Sequence, residues 1–313
     1  RQMKVVFMGT PDFSVGTLEA LVEAGHEVVL AVTQPDKPQG RGKAEKFTPV
    51  KECALKHNIP VFQPQRIKTP ESVAYLREFD ADIFVVAAFG QIVSQEILDM
   101  PRYGCVNIHA SLLPRYRGAA PIQWVILNKE KETGVTIMQM DAGIDTGDML
   151  MQRSFAIGAK DTGETVHDKL SALGAEMIVD ALREIEAGTL TPVKQNSEES
   201  CYAPMLTKEL GCINWKKDAD TIEHYVRGLY PWPGTYTMLE GKKVKLFAVE
   251  VSDASCEGAP GEIVAVEKDS LLVATGGGCI RILELQLEGK KRMQVKDFLL
   301  GYRITPGMVL NAE

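Results

Sequence analysis

KVVFMGTPDFSVGTLEALVEAGHEVVLAVTQ, residues 4–34, decides the fold. KVVFMG (4–9) is a continuous apolar run that enters a Gly-Thr-Pro-Asp turn. Val15, Leu18, Leu21 and Val22 then recur at helical spacing through 14–25, and Gly25 supplies a stop. EVVLAVTQ (27–34) is apolar again. A strand, a helix and a second strand in so short a span are the crossover unit from which parallel sheets are built. The turn after the first strand is not a dinucleotide fingerprint, because Pro11 stands where the second glycine would be. No G-x-x-x-x-G-K-[ST] loop is present either, and turn formation accounts for the Gly and Pro.

The alternation continues through the first half. PVKECALKHN (49–58) and APIQWVILN (120–128) have helical spacing, and ETVHDKLSALGAEMIVDALREIEAG (164–188) is a long amphipathic helix ending in glycine. DIFVVAAFG (82–90), GCVNIHA (104–110) and GVTIMQM (134–140) are apolar strand candidates. This order predicts an α/β class, with a Rossmann-like, mostly parallel sheet covered on both faces. Ligands of such sheets sit outside the carboxyl ends of the strands, near the point where strand order reverses. Residues 189–207, including QNSEES, are polar and strand-poor and read as a linker. Beyond them a helix over 218–229 is broken by PWPG (231–234). Short β runs follow (TYTML, KVKLFAVEV, GEIVAVE, SLLVAT, CIRILELQL), then a closing helix over 294–302. A smaller OB-like β-barrel is expected there. The expected division is a catalytic domain over 3–189, a linker over 190–207 and the barrel over 208–313.

Composition bounds the alternatives. The chain of 313 residues is 45% hydrophobic, 25% charged and 7% aromatic, ordinary for a soluble globular protein. No run of eighteen apolar residues argues for a membrane span, and RQMKVVFMG lacks the apolar core of a secretory signal. Arg1 and Gln2 before Met3 read as a cloning remnant, and the cytoplasm is the default location. The six cysteines form no C-x-x-C pair and read as reduced thiols. The five histidines show no H-E-x-x-H spacing, so no metal is expected. A net charge of −7 argues against bulk capture of a polyanion, so any nucleic-acid contact must use local basic patches.

Two stretches could carry chemistry. In VNIHASLLPRYRG (106–118) Asn107 and His109 share one side of a strand, because side chains alternate faces. A side-chain amide can donate to an oxyanion as a carbonyl becomes tetrahedral. An imidazole can take the proton that an attacking amine loses, and a carboxylate can orient the imidazole. DAGIDTGD (141–148) offers Asp141, Asp145 and Asp148 for that last role, with turn formation as the plain alternative. A lone strand histidine is more often a satisfied core residue; Asn107 on the same face is what favours a site. The second stretch, TQPDKPQGRGKAEKF (33–47), carries Lys37, Arg41, Lys43 and Lys46. It is either a solvated surface loop or a basic arm that reaches phosphates.

HASLLPRYRGAAPIQW followed by ETGVTIMQMDAGIDTGDML resembles the folate-dependent formyltransferases. The resemblance extends from MGTPDF through TQPDKPQGRGK to the WPG of the second half, in the same order. It implies transfer of a formyl group from 10-formyltetrahydrofolate to the amino group of initiator methionyl-tRNA, for translation initiation. It also implies Asn107, His109 and Asp145 as the catalytic set. Ser111, Leu112, Leu113 and Pro114 would line the folate pocket together with Phe89, Gly90, Gln91, Ile92 and Asp141. Arg41, flanked by Lys37 and Lys43, would read the tRNA acceptor end, and the barrel would bind tRNA. A monomer without metal is implied. Arg115 and Arg117 stay open between tRNA phosphate, the glutamate tail of folate and local carbonyls. Rival readings are a small-amine formyltransferase, a formyl-folate hydrolase and a non-catalytic nucleic-acid-binding protein.

Overall fold

The computed structural model describes residues 2–38 and 44–311, so Arg41 and Lys43 lie outside the described residues. The opening stretch forms β1 (Lys4–Gly9), α1 (Asp12–Glu23) and β2 (Glu27–Val32). Pro11 precedes α1 in an extended conformation, and Asp12 in the first turn suits the positive end of the helix dipole. There follow α2 (Pro49–Lys56), β3 (Val61–Phe62), α3 (Pro70–Arg77), β4 (Ile83–Ala87), α4 (Gln95–Leu98) and β5 (Cys105–His109). The run closes with α5 (Pro121–Leu127), β6 (Glu132–Gln139), β7 (Met149–Ala156) and α6 (Gly163–Ala187). Thr48 and Thr69 cap α2 and α3, each followed by proline in the first turn, where a missing N–H costs nothing.

The seven strands form one sheet in the order β7-β6-β5-β4-β1-β2-β3. β3, β2, β1, β4 and β5 pair in parallel, while β6 runs antiparallel to β5 and β7 antiparallel to β6. The chain steps outward from β1 to β3 and then returns to place β4 beside β1, so strand order reverses between those two. On one face Val6, Met8, Leu30, Val32, Phe84 and Val86 bury against residues of α3 and α4. α6 contributes Leu170, Met177, Ile178 and Leu182, all fully buried. β7 has no counterpart among the sequence expectations. Its alternating half-exposed pattern, with Arg153 paired to Asp180 at 2.7 Å, belongs to an antiparallel edge rather than to a buried parallel strand.

The chain divides into two compact units, the first ending at Ala203 and the second taking up Ile122–Lys131, Ile157–Val166 and everything from Pro204. The segment expected to be a linker is therefore mostly part of the first unit. Val193 bridges Met149 in both directions (2.8 and 2.9 Å), and Tyr202–Ala203 pairs in parallel with Arg117–Gly118. In the second unit α7 (Ala219–Gly228) precedes β8 (Thr235–Leu239), β9 (Lys242–Ser252), β10 (Ile263–Val266), β11 (Leu271–Ala274) and β12 (Cys279–Leu287), with α8 (Val295–Gly301) after them. These strands make an antiparallel sheet ordered β8-β9-β12-β11-β10. Val309 and Asn311 bridge residues at its two edge strands, Glu262 and Met238, which closes the sheet on itself as a barrel requires. Trp215, Ile222, Val244, Leu246, Ile280 and Ile282 fill its core, and the Trp215 indole N–H donates to Thr237 Oγ1 at 2.9 Å.

Cys256 and Cys279 form a disulfide with a Cα–Cα distance of 6.2 Å, which corrects the reading of all six cysteines as reduced. Twenty-three residues separate them, and only the folding of one loop against the start of β12 brings them together. No described helix is long and apolar enough to cross a membrane.

Candidate active site

β5 presents a polar pair because its other members, Cys105, Val106 and Ile108, are buried against the sheet's covering layers. Asn107 is half-buried, and among the described residues its side-chain amide makes no hydrogen bond within the protein. His109 is only 7% exposed. Its Nε2 lies 2.8 Å from the Tyr116 carbonyl oxygen, an acceptor without a proton, so Nε2–H is the donor. That contact fixes the tautomer and leaves Nδ1 as the ring nitrogen able to exchange a proton. Nδ1 faces Asp145 Oδ1 at 3.6 Å.

Asp145 reaches this place by a route the sequence does not suggest. The carboxyl ends of β5 and β6 lie at opposite ends of their pairing, because β6 runs antiparallel to β5, with Gln139 paired to Val106 and Thr136 to His109. The loop 141–148 thus begins beside the start of β5 and folds back until Asp145 meets His109. Gly147 permits the fold, since a Cβ there would lie 1.8 Å from the Gln139 carbonyl oxygen. Asp145 itself is held at a left-handed φ of 56°. Two partners, through three hydrogen bonds, stabilise the loop in that conformation. Asp145 Oδ2 accepts from the Gly118 N–H at 2.8 Å, and Gln195 Nε2 donates to the carbonyl oxygens of Asp145 (2.9 Å) and Gly147 (2.8 Å). Gly118 has φ 104°, which strains any other residue, and a Cβ there would press on the Ala203 carbonyl oxygen at 3.0 Å.

Gln195 is tied in turn to Arg117, whose Nε and Nη2 donate to its Oε1 at 3.2 and 3.0 Å. Arg117 is 4% exposed and also reaches Ser197 Oγ at 3.3 Å. Of the readings left open for this arginine, the local one holds: its guanidinium braces the protein interior. Arg115 is exposed, with its guanidinium over the Tyr116 ring at 5.3 Å. Gln195, Tyr116 and Gly118 were not anticipated. Their one signal is spatial, since QNSEES has the composition of any surface loop.

The remaining expected residues fall into distinct settings. Ser111–Pro114 is fixed by the strands beside it. Thr136 Oγ1 donates to Ser111 O (2.7 Å) and accepts from Leu113 N (3.1 Å), while Gln152 Nε2 donates to Leu113 O (2.8 Å). Phe89 is buried in the sheet's core cluster, whereas Ile92 is 59% exposed. Gly90 gives its carbonyl to Gln34 Nε2 at 2.9 Å. The amide of Gln91 is used within the protein, accepting from Ile67 N (2.7 Å) and donating to Gln34 Oε1 (2.8 Å) and Pro64 O (2.9 Å). Asp141 Oδ1 accepts from Gly143 N (2.9 Å) and Thr146 Oγ1 (2.7 Å), shaping the turn that leads to Asp145. Lys37 is exposed on a two-residue ladder with Lys46.

A strand-borne amide, a histidine of fixed tautomer and a carboxylate can together stabilise an oxyanion and relay a proton, the requirements of acyl transfer. The sequence model of the formyl transferase family matches residues 3–182, and that of its C-terminal domain matches residues 205–303. The chain belongs to the formyl transferase family. It is 55% identical over 305 residues to the methionyl-tRNA formyltransferase of Agathobacter rectalis, covering 97% of this chain and 98% of that one. It is 54% identical to the methionyl-tRNA formyltransferase of Geobacter metallireducens, covering 98% of each. Among solved structures, the N-formyltransferase of Helicobacter canadensis in complex with folinic acid and dTDP-3-aminofucose superposes with a TM-score of 0.66 at 21% identity, over 90% of this chain and 99% of that one. HypX of Aquifex aeolicus in complex with tetrahydrofolic acid gives 0.64 at 20% identity, over 96% of this chain and 47% of that one. At those identities the family fold is what is shared.

Proposed function

We propose that this protein transfers the formyl group of 10-formyltetrahydrofolate to the α-amino group of initiator methionyl-tRNA, as a cytoplasmic monomer. The observation that carries the reading is identity above half over nearly the full length of both chains to relatives named for that activity. Folate ligands in two more distant members of the fold support the donor.

In this reading the free amine of methionine attacks the formyl carbon, and oxygen becomes anionic. The unpartnered amide of Asn107 donates to that oxygen. The amine must lose a proton and the departing folate nitrogen must gain one. His109 Nδ1, 3.6 Å from Asp145, would hold and pass that proton, a role supported by the engagement of Nε2 with the Tyr116 carbonyl. The C–N bond to folate breaks as its nitrogen is protonated, giving tetrahydrofolate and formylmethionyl-tRNA. No step calls for a metal. Ser111–Pro114, the 89–92 segment and the 141–145 turn would border the donor, with Leu112 and Ile92 as apolar walls and Gly90, Gln91 and Asp141 shaping the backbone. Lys37, Arg41 and Lys43 would meet acceptor-stem phosphates and bases, and the barrel would hold the rest of the tRNA.

The test is transfer of labelled formyl from 10-formyltetrahydrofolate to methionyl-tRNA, to small amines and to water. Formylmethionyl-tRNA as the dominant product supports the proposal. Equal transfer to an amino sugar or to glycinamide ribonucleotide would replace it with a small-amine activity. Formate release at the same rate without acceptor would make the protein a hydrolase.

A further inference from the structure

α1 and α2 pack side by side, and three side chains meet between them that take no part in the chemistry above. Glu19 stands on α1. Cys53 and His57 lie four residues apart, which puts them on one face of α2 and its C-terminal cap. Glu19 Oε1 lies 3.1 Å from Cys53 Sγ, and its Oε2 lies 2.8 Å from His57 Nε2. One ligand atom from each of the three falls within a span of 4.8 Å. Cys53 is buried, while the side chains of His57 and Glu19 are 28% and 32% exposed.

We infer that this cluster is a binding site for a divalent transition-metal cation of the zinc type. Thiolate, imidazole and carboxylate are the donors such ions select, and three protein ligands plus water is a familiar open coordination. Metal–ligand bonds of about 2.0–2.3 Å in tetrahedral array separate their donor atoms by roughly 3.2–3.6 Å. The two short contacts use different Glu19 oxygens, and one donor atom from each residue lies within 4.8 Å of the others, so binding would need side-chain adjustments of up to about an ångström. A thiolate and a carboxylate together balance the dication, so the half-buried ensemble is neutral. The open side of Glu19 and His57 gives an entry path and a fourth position for water. On binding, the Cys53 S–H bond breaks, the Sγ–metal bond forms and the proton leaves to solvent. His57 moves its proton from Nε2, where it now faces Glu19, to Nδ1, and Nε2 takes the metal. The bound ion ties α1 to α2, the helix that begins where the basic segment 33–47 ends.

The competing account is a hydrogen-bonded triad with no affinity for metal. Cobalt titration of the chelator-treated full-length protein separates the two. The expected result is a thiolate-to-cobalt charge-transfer absorption that saturates at one equivalent, is displaced by zinc and is lost in Cys53→Ser. His57→Gln and Glu19→Gln should each weaken cobalt binding by more than about tenfold, beyond the low end of what losing a mere supporting group costs. Absence of the absorption overturns the inference, and so does its retention in Cys53→Ser, which would assign the metal to another thiol. Should Cys53→Ser not fold, Glu19→Gln decides: unchanged cobalt affinity overturns the site, and a loss together with an unchanged metal-free circular dichroism spectrum supports it.

Discussion

The imidazole of His109 is anchored through Nε2, so whatever proton it exchanges with substrate moves through Nδ1, beside Asp145. Asp145→Asn keeps the shape but removes the negative charge that faces Nδ1. Turnover should fall by about 10²–10⁴-fold, the usual worth of general acid–base help, with KM for folate little changed. Steady-state kinetics check this, and full turnover in the variant would remove Asp145 from the mechanism. Gln195 acts through Asp145 by holding a left-handed backbone in place. Gln195→Ala should lower kcat about 10²-fold if the carboxylate is displaced by an ångström. It should also cost roughly 1–3 kcal/mol in urea denaturation, because the buried Arg117 loses an acceptor. The kinetic loss should exceed any change in KM; a stability loss with unchanged kcat would confine Gln195 to a structural part. Asn107 and His109 were legible before the structure, because two polar residues on one face of an apolar strand need a reason. Tyr116 and Gln195 were not, since a carbonyl contact and a distant amide leave no pattern in sequence.

Elements were legible where their burial was one-sided or complete. β1, β2, β4, β5 and the long helix α6 announced themselves through apolar runs and helical spacing. α3 carried a readable start, Thr69 before Pro70, but its eight residues give too few repeats to establish a period. The direction of β6 was hidden, because a strand buried on both faces has the same composition whether it runs parallel or antiparallel. That single unknown is why the path of loop 141–148 was not legible in the sequence. At the start of α2, Thr48 Oγ1 accepts from Lys51 N at 3.1 Å and shares a buried contact with Thr33 Oγ1 at 2.7 Å. Thr48→Ala should destabilise the protein by about 1–2 kcal/mol, read as a lower urea midpoint at constant slope.

Asp36 sits at the root of the basic segment, where Lys51 Nζ (2.8 Å) and Gln63 Nε2 (2.7 Å) both donate to it. The Lys51 ammonium and then the Gln63 amide hold its carboxyl below the usual 3.8. A carboxyl lowered on folding contributes stability above its unfolded value and loses it as pH falls through the folded one. The deficit of Asp36→Asn relative to wild type should therefore be constant near neutrality and shrink only below about pH 3.8, as acid titrations of unfolding would show.

Across the molecule, two units and an acidic net charge must accommodate a polyanion. The basic side chains of 33–47 concentrate positive charge in one short segment of the sequence, and the phosphate contacts proposed there would release counterions. The apparent affinity for methionyl-tRNA should fall as salt rises, and Arg41→Ala should reduce the log–log slope by about one if it removes one phosphate contact. The two-domain plan was legible from the change in pattern near residue 207. The position of the division was not, because the polar stretch 190–203 owes its order to pairing with Met149, Arg117 and Gly118 rather than to its own composition. The decisive measurement is single-turnover formylation of methionyl-tRNA from 10-formyltetrahydrofolate by wild type and His109→Ala. Wild type should yield formylmethionyl-tRNA, and the variant should be slower by about 10²–10⁴-fold while binding both substrates as before. Equal rates in the two proteins, or no formylmethionyl-tRNA from either, would contradict the account.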